Sequence, residues 1–152
     1  MNLQMEINSL KQRISELEQQ VEQEKEFPQV EDDYWYVDCD AEVMFAVWHG
    51  DDYDKGRVSI DNIFKTKQQA EFAVEKLKVE AELRKFSRPF EYGKFNYYLL
   101  LDIDGNSFRT EFTSYFTEQG AIYFESEEKA QQAIKSVGEE RIKKYIFGVE
   151  DL

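Results

Sequence analysis

The residues in this sequence that could carry out catalysis are a single histidine, His49, and a single cysteine, Cys39. A nucleophile activated by an imidazole base would have to use His49, with either the cysteine thiol or a serine hydroxyl. His49 lies in a polar, acidic segment beside Gly50, and Cys39 lies in a predicted strand with no activating pattern around it. The sequence therefore predicts an exposed loop histidine and a protein that is not an enzyme.

Pairs of aspartates raise the question of metal binding. Asp102 and Asp104 resemble the start of a calcium loop, but the twelfth position of that loop is Thr113, which cannot supply the bidentate carboxylate of an EF-hand. Asp38 and Asp40 occupy the matching place earlier in the chain. An Asp-x-Asp pattern at a hairpin is more simply turn chemistry. We therefore predict turns at both places, with neither a metal nor a cofactor.

The densest acidic cluster lies in a predicted loop that runs from Trp48 to Gly56. One interpretation is a metal site, and another is a solvated hairpin tip with aromatic packing beneath it. A third is a recognition loop, because Trp and Tyr are enriched at interface hot spots. The residues that we predict to bind a partner are Trp48, Asp51, Asp52, Tyr53 and Asp54.

The charge of the chain favours one class of partner. It has 152 residues with 32 acidic and 19 basic side chains, a formal net charge of −13. Such a surface repels phosphate backbones, which disfavours direct nucleic-acid binding, and it attracts basic protein surfaces. Solubility alone is the alternative explanation.

The composition also bears on the compartment. No apolar run approaches the length of about 18 residues that suggests a membrane helix, and the N-terminus lacks the basic and then apolar pattern of a signal peptide. A lone cysteine excludes an internal disulfide framework. We expect a cytoplasmic protein without a membrane partner.

The elements that must position these residues follow a repeat. Residues 63–74 match residues 123–134 at an offset of 60 (123 − 63), and residues 34–41 match residues 98–105 at an offset of 64 (98 − 34). The fold class predicted is α+β, with two duplicated β-β-(β)-α units in residues 34–90 and 91–152 and a mostly antiparallel sheet. Whether the units share one sheet is left open.

Within each unit the pattern predicts two strands and then a capped helix. The strands are predicted at 34–38 and 43–48 in the first unit and at 97–102 and 108–115 in the second. Thr66 and Ser126 are the predicted N-caps of the two helices. The first unit has a possible third strand at Val58–Ile60.

The N-terminal segment 1–25 carries a heptad pattern and is followed by a predicted hinge at 26–33. β-branched residues at a and Leu at d favour a parallel two-stranded coiled coil. Packing against the chain's own body and pairing with a helix of another protein are the alternatives. The predicted dimerisation residues alternate four and three positions apart: Leu3, Ile7, Leu10, Ile14, Leu17 and Val21.

The body resembles a group of small, uncharacterised acidic proteins of temperate phages and prophages of Gram-positive bacteria. The resemblance covers most of residues 34–148 and implies no site residues. Proteins of this kind often resemble inhibitors of host defence, including anti-CRISPR proteins. The segments that carry it are NIFKT (62–66), AEFA (70–73), LKV (77–79), ELRKF (82–86) and IYFESEEKA (122–130).

These observations together predict a non-enzymatic homodimer. We expect a phage protein in the bacterial host cytoplasm that docks on a basic host protein, such as a nuclease, and competes with nucleic acid. One alternative is a structural connector in phage assembly. Another is a module that holds a small ligand between its two units.

Overall fold

The structure is a computed structural model that describes residues 2–104 and 106–149. It is an α+β fold with a long N-terminal helix and two separate two-stranded antiparallel sheets. The elements in chain order are α1 (Leu3–Glu24), β1 (Asp33–Val37), β2 (Val43–Val47), α2 (Asp52–Ser59), α3 (Lys67–Arg84), β3 (Asn96–Asp102), β4 (Ser107–Thr113), α4 (Glu127–Val137) and α5 (Glu139–Tyr145).

Helix α1 begins at a capped residue and is exposed along its whole length. The Asn2 side chain accepts a hydrogen bond from the Gln4 amide at 3.1 Å, which satisfies one of the free N–H groups of the first turn. The helix ends where Lys25 becomes extended, and none of its residues is buried. The alternative in which the apolar stripe packs against its own chain does not fit this exposure.

The two hairpins have the same local topology. Strand β1 pairs with β2 and β3 pairs with β4, both antiparallel. A single antiparallel bridge extends each hairpin on the outer side, between Trp35 and Phe64 in the first and between Tyr97 and Phe124 in the second. The four predicted strands are confirmed to within a few residues. Within residues 2–104 and 106–149 the two hairpins do not share a sheet.

The predicted third strand at Val58–Ile60 is wrong. Val58 and Ser59 form the last turn of α2, and Ile60 is its C-cap. The outer side of β1 is reached instead by Phe64, four residues later, through its one bridge. A helix forms here because Asp51 caps it and Asp52 and Asp54 stand in the first turn, where the helix dipole favours negative charge.

Both predicted caps of the long body helices are confirmed. The Thr66 hydroxyl accepts from the Gln69 amide at 3.2 Å at the start of α3, and the Ser126 hydroxyl accepts from the Lys129 amide at 3.1 Å at the start of α4. Gly138 has φ +97°, a conformation that costs other residues energy, and there the chain leaves α4 and enters α5.

The apolar core lies mainly in the second half of the body. Helices α3, α4 and α5 pack together beside β3. On the outside of this contact, Arg141 of α5 forms a two-pronged ion pair with Glu82 of α3 at 2.9 and 3.0 Å. The fully buried cluster consists of Val79, Leu83, Phe124, Ala130, Ala133, Ile134, Val137 and Ile142.

Candidate functional site

The heptad residues of α1 form a continuous exposed apolar stripe. Their side chains are between 44% (Ile7 and Leu17) and 75% (Leu3) exposed. Single exposed apolar residues are ordinary on a protein surface, but a contiguous stripe marks an interaction site. The structure therefore leaves all six predicted dimerisation residues available to a partner.

The charges beside the stripe fit a second copy in parallel. In the heptad register Glu6 and Arg13 stand at g, and Lys11 and Glu18 stand at the e positions five residues further on. A parallel pair would bring Glu6 opposite Lys11 and Arg13 opposite Glu18, both of opposite sign. Within one chain Arg13 instead contacts Glu16 at 3.3 Å, an exposed pair that contributes little.

The segment predicted to be a recognition loop is partly helical. Asp51 caps α2 by accepting a hydrogen bond from the Asp54 amide at 2.8 Å. Asp52 is exposed in the first turn and Tyr53 is 77% exposed beside it. Trp48 is half-buried and packs edge-on against Tyr34, with ring centroids 6.3 Å apart. Asp52 and Tyr53 thus face solvent, whereas Trp48 belongs largely to the packing beneath.

Asp54 is not a surface residue, so its assignment to a partner contact is wrong. It is 2% exposed. One carboxylate oxygen accepts from the His49 and Gly50 amides at 2.8 and 2.9 Å, and the other accepts from the Tyr34 hydroxyl. A buried carboxylate needs such donors, because burial without them is costly. Asp54 therefore holds the end of β2 against α2 and β1.

Arg57 completes this polar cluster. Its guanidinium donates to the Tyr34 hydroxyl oxygen at 2.7 Å and lies 3.7 Å from the Asp54 carboxylate. It also stands 3.6 Å from the centroid of the Tyr36 ring, a cation–π contact. We call Tyr34, Asp54 and Arg57 the polar cluster.

The titration of the polar cluster follows from these contacts. Burial alone would raise the pKa of the Asp54 carboxyl, but hydrogen bonds from Tyr34, His49 and Gly50 outweigh it and hold the pKa below its usual value. Burial and the bond to Asp54 raise the pKa of the Tyr34 hydroxyl. Tyr34 has no exposed surface and Asp54 is 2% exposed, whereas the Arg57 side chain is 23% exposed, so the cluster is mostly buried. It is a structural clamp.

The structure does not bring the two potential catalytic residues together. Cys39 is an exposed free thiol in the turn between β1 and β2, and His49 is exposed beyond the far end of β2. They stand at opposite ends of the first hairpin.

The first Asp-x-Asp pattern is a turn, as predicted. The Asp38 carboxylate accepts from the Asp40 and Glu42 amides, both at 2.9 Å. The second pattern runs into Gly105, which lies outside the described residues. In residues 2–104 and 106–149 no three His, Cys, Asp or Glu side chains are placed to hold a metal ion.

A cluster of exposed aromatic rings was missed from sequence. The ring pairs Tyr92–Tyr115 and Phe95–Phe112 have centroids 5.5 and 4.9 Å apart, and all four side chains are more than half exposed. The available signal was the occurrence of aromatic residues where the strand pattern predicts turns or strand ends.

Asn96 fixes the backbone that carries these rings. It is fully buried. Its side-chain oxygen accepts from the Arg88 guanidinium at 2.7 Å and the Glu91 amide at 2.9 Å. Its amide group donates to the carbonyls of Glu91, Lys94 and Thr113, each at 2.9 Å. The rings are therefore presented on an ordered corner of the molecule.

The body also contains a cleft of about 370 Å³ between the end of α3 and the second hairpin. Leu99 and Leu100 of β3 line one part of it and residues 118–122 line another, while Leu83 and Phe147 add apolar surface. The cleft lies where α3 of the first predicted unit meets β3 and residues 118–122 of the second, which is the place predicted for a ligand between the two units.

Comparison of the chain with protein-family models, curated proteins and solved structures finds no match to any of them. Among the helices that the structure describes, none combines the length and apolar character needed to cross a bilayer. The case for a function therefore rests on the geometry of the exposed surfaces.

Proposed function

We propose that the chain is a non-enzymatic binding protein that self-associates through α1 and presents its acidic body to a basic partner protein. The observation that supports this most directly is the heptad stripe on α1, which is exposed along its whole length. In proteins most of the stability of a helix comes from packing of its apolar face rather than from helix propensity. Burial of the stripe against a second helix would stabilise both chains.

The occupant proposed for the stripe is a second copy in parallel. Ile7, Ile14 and Val21 at a, with Leu at d, favour two parallel strands. The opposite charges at g and e favour the same orientation. The coiled coil would then hold two bodies together and raise their joint affinity for a partner with two sites, where the geometry permits.

We also propose that the body is an internal duplication. The support is the repeated pattern of hairpin, bridging phenylalanine, capping hydroxyl and helix. Phe64 and Phe124 stand 60 residues apart (124 − 64), and their bridge partners Trp35 and Tyr97 stand 62 apart (97 − 35). The strand offset suggested by the structure is thus two residues shorter than the 64 inferred from sequence.

The partner proposed is a nucleic-acid-binding protein of a bacterial host, met in the cytoplasm. The charge of −13 complements a basic surface and would compete with a phosphate backbone for it. A phage inhibitor of host defence, of the anti-CRISPR type, would act in this way. The exposed residues that favour contact in the first unit are Asp52 and Tyr53.

Self-association is tested by Ile14→Asp, which places a charge in the middle of the stripe. We expect the wild type to have the mass of a dimer at tens of micromolar by light scattering and the variant to have the mass of a folded monomer. Gln19→Asp is the matched control, because it adds the same charge at a polar f position. A wild-type monomer at these concentrations would refute the coiled coil.

The partner is tested by capture from host lysate on the immobilised wild type. We expect a basic nucleic-acid-binding protein that is released by salt and displaced by added nucleic acid. Ile14→Asp should retain less of it. Capture that is insensitive to both salt and nucleic acid would count against an electrostatic competitor.

A further inference from the structure

The outer edges of the two hairpins are used differently. In an antiparallel pair, alternate residues of a strand turn their N–H and C=O groups away from the partner strand. Trp35 uses these groups to bridge Phe64, with both hydrogen bonds at 2.8 Å, and Tyr97 uses them to bridge Phe124 at 3.0 and 2.8 Å. The next outward-facing residue is Val37 in β1 and Leu99 in β3.

In the first hairpin a side chain closes the edge beyond the bridge. The Val37 amide donates to the Asn62 side-chain oxygen at 2.8 Å, and the Asn62 amide group donates to the Val37 carbonyl at 2.7 Å. One asparagine thereby satisfies both backbone groups, as a neighbouring strand would. Asn62 lies two residues before the bridging Phe64.

In the second hairpin the edge stays open. The residue two positions before Phe124 is Ile122, whose hydrocarbon side chain packs on the apolar core and can form no hydrogen bond. In residues 2–104 and 106–149, no backbone or side-chain group from outside the hairpin hydrogen-bonds to Leu99. An edge of this kind is a template for another strand.

The open edge faces the cleft. Leu99 and Leu100 line it together with residues 118–122, and the half-buried apolar side chains of Ile122 and Phe147 are accessible from it. A backbone edge with unpaired N–H and C=O groups beside an apolar cavity matches the requirements of β-strand addition. In that mode main-chain bonds hold the peptide and pockets take alternate side chains.

The carboxylates at the cleft favour a peptide with basic side chains. Glu80 and Glu118 both line it, and the one cation there, Arg84, pairs loosely with Glu80 at 3.9 Å. Glu118 has no ion pair within the described part of the chain. Burial is the main cause that raises the pKa of the Tyr98 hydroxyl, and the nearby Glu118 and Glu111 carboxylates raise it further.

We propose that the open edge of β3 at Leu99 binds an extended segment of a partner protein. The segment adds as a third strand, places an apolar side chain in the cleft and sets a basic side chain beside Glu118. This inference is independent of the coiled coil, since it needs only one chain. It also holds whether or not the partner is a host defence protein.

The probe is a synthetic peptide in which lysine alternates with valine and leucine, titrated into the full-length protein and followed by NMR. We expect shifts confined to residues 97–101 and 118–122 and slower hydrogen exchange of the Leu99 amide. The same peptide with N-methylated backbone amides should bind at least about ten-fold more weakly. A peptide with glutamate in place of lysine should also bind more weakly.

Two pairs of variants test the site itself. Ala121→Trp fills the cleft and should weaken binding about ten-fold or more, whereas Gln132→Trp adds the same ring on exposed α4 and should leave binding unchanged.

Ile122→Asn and Ile122→Ser lose the same core contact. Only asparagine can close the edge as Asn62 does, so Ile122→Asn alone should protect the Leu99 amide and abolish binding.

The Ile14→Asp variant separates this proposal from self-association. It should bind the peptide with unchanged affinity per chain, even if it is monomeric. Equal binding of the N-methylated peptide, or shifts centred on α1, on the first hairpin or on a contact between two copies, would overturn strand addition at β3.

Discussion

The two hairpins have the same topology but are held to the body by different chemistry. The first is held by the polar cluster of Tyr34, Asp54 and Arg57, together with the Asn62 side chain on its edge. The second is held by Phe124 and the apolar cluster around it. Polar side chains need directional partners, so they occupy the first edge, whereas apolar packing leaves the backbone of the second edge free.

This difference indicates which half of the body contributes stability and which contributes part of the response to acid. Apolar burial is non-directional and scales with area, so the second half should contribute most of the stability. Hydrogen bonds in the polar cluster lower the pKa of the Asp54 carboxyl, so the first hairpin should carry a part of the response to acid, beside the Glu82 carboxyl of α3, whose pKa is lowered by the hydrogen bonds from Arg141. Four experiments can break or sharpen the contrast.

The largest effect is expected from Phe124→Ala. Phe124 is 1% exposed within the apolar cluster, and removal of such a ring typically costs about 3–5 kcal/mol. Phe64→Ala is the matched control, because Phe64 makes the equivalent bridge but is only half-buried. Urea unfolding of both variants measures the two losses. Equal losses would show that the halves share the apolar stabilisation evenly.

An intermediate effect is expected from Asp54→Ala. It leaves the Tyr34 hydroxyl and two backbone amides without their acceptor and removes the carboxylate that pairs with Arg57, which should cost about 3 kcal/mol. Tyr34→Phe removes one hydroxyl from the same cluster and should cost about 1 kcal/mol. Thermal unfolding at neutral pH compares them.

The same carboxylate sets a pH response. Because the pKa of Asp54 is lower in the folded chain than in the unfolded chain, its stabilisation is present above the unfolded value of about 3.9 and is lost as the pH falls through the folded value. Asp54→Asn should flatten the acid limb of a plot of stability against pH. An unchanged acid limb would place the response elsewhere.

The smallest effect is expected from Asn62→Ala. Loss of its two hydrogen bonds to Val37 should cost about 1 kcal/mol and speed hydrogen exchange of the Val37 amide. Ile60→Ala is the nearby control, because Ile60 is 73% exposed and should change neither quantity. If Val37 stays protected without Asn62, the side chain does not close this edge.

Local signals were readable from sequence and tertiary ones were not. The caps Thr66 and Ser126 were predicted because capping depends on residues within one turn. Helix α2 was missed because its Asp-rich, Gly-containing sequence also suits a loop, although Asp51 followed by Asp54 is a usable cap signal. The burial of Asp54 could not be predicted, because Tyr34, its hydroxyl donor, lies 20 residues away in the chain.

The sequence also did not reveal that the outer edges of β1 and β3 differ. The repeat aligned Phe64 with Phe124 correctly for the bridges, but it did not reveal that Asn62 and Ile122 differ in function. In the sequence, each is only the residue that precedes a matched apolar pair. Their different roles become visible only when the position of the neighbouring strand edge is known. The aromatic corner around Asn96 was also missed, since the five hydrogen bonds of its side chain join residues 88–94 to Thr113 of β4.

The lack of packing between α1 and the body makes the chain two cooperative units rather than one. A helix that buries nothing on its own body melts independently of it, and if it pairs with a second copy its order depends on protein concentration. All aromatic residues lie beyond residue 25, so the near-ultraviolet circular dichroism reports the body alone. Dilution should therefore reduce the far-ultraviolet helical signal while the near-ultraviolet aromatic signal, corrected for concentration, stays constant. The two signals thus report assembly of α1 and folding of the body separately.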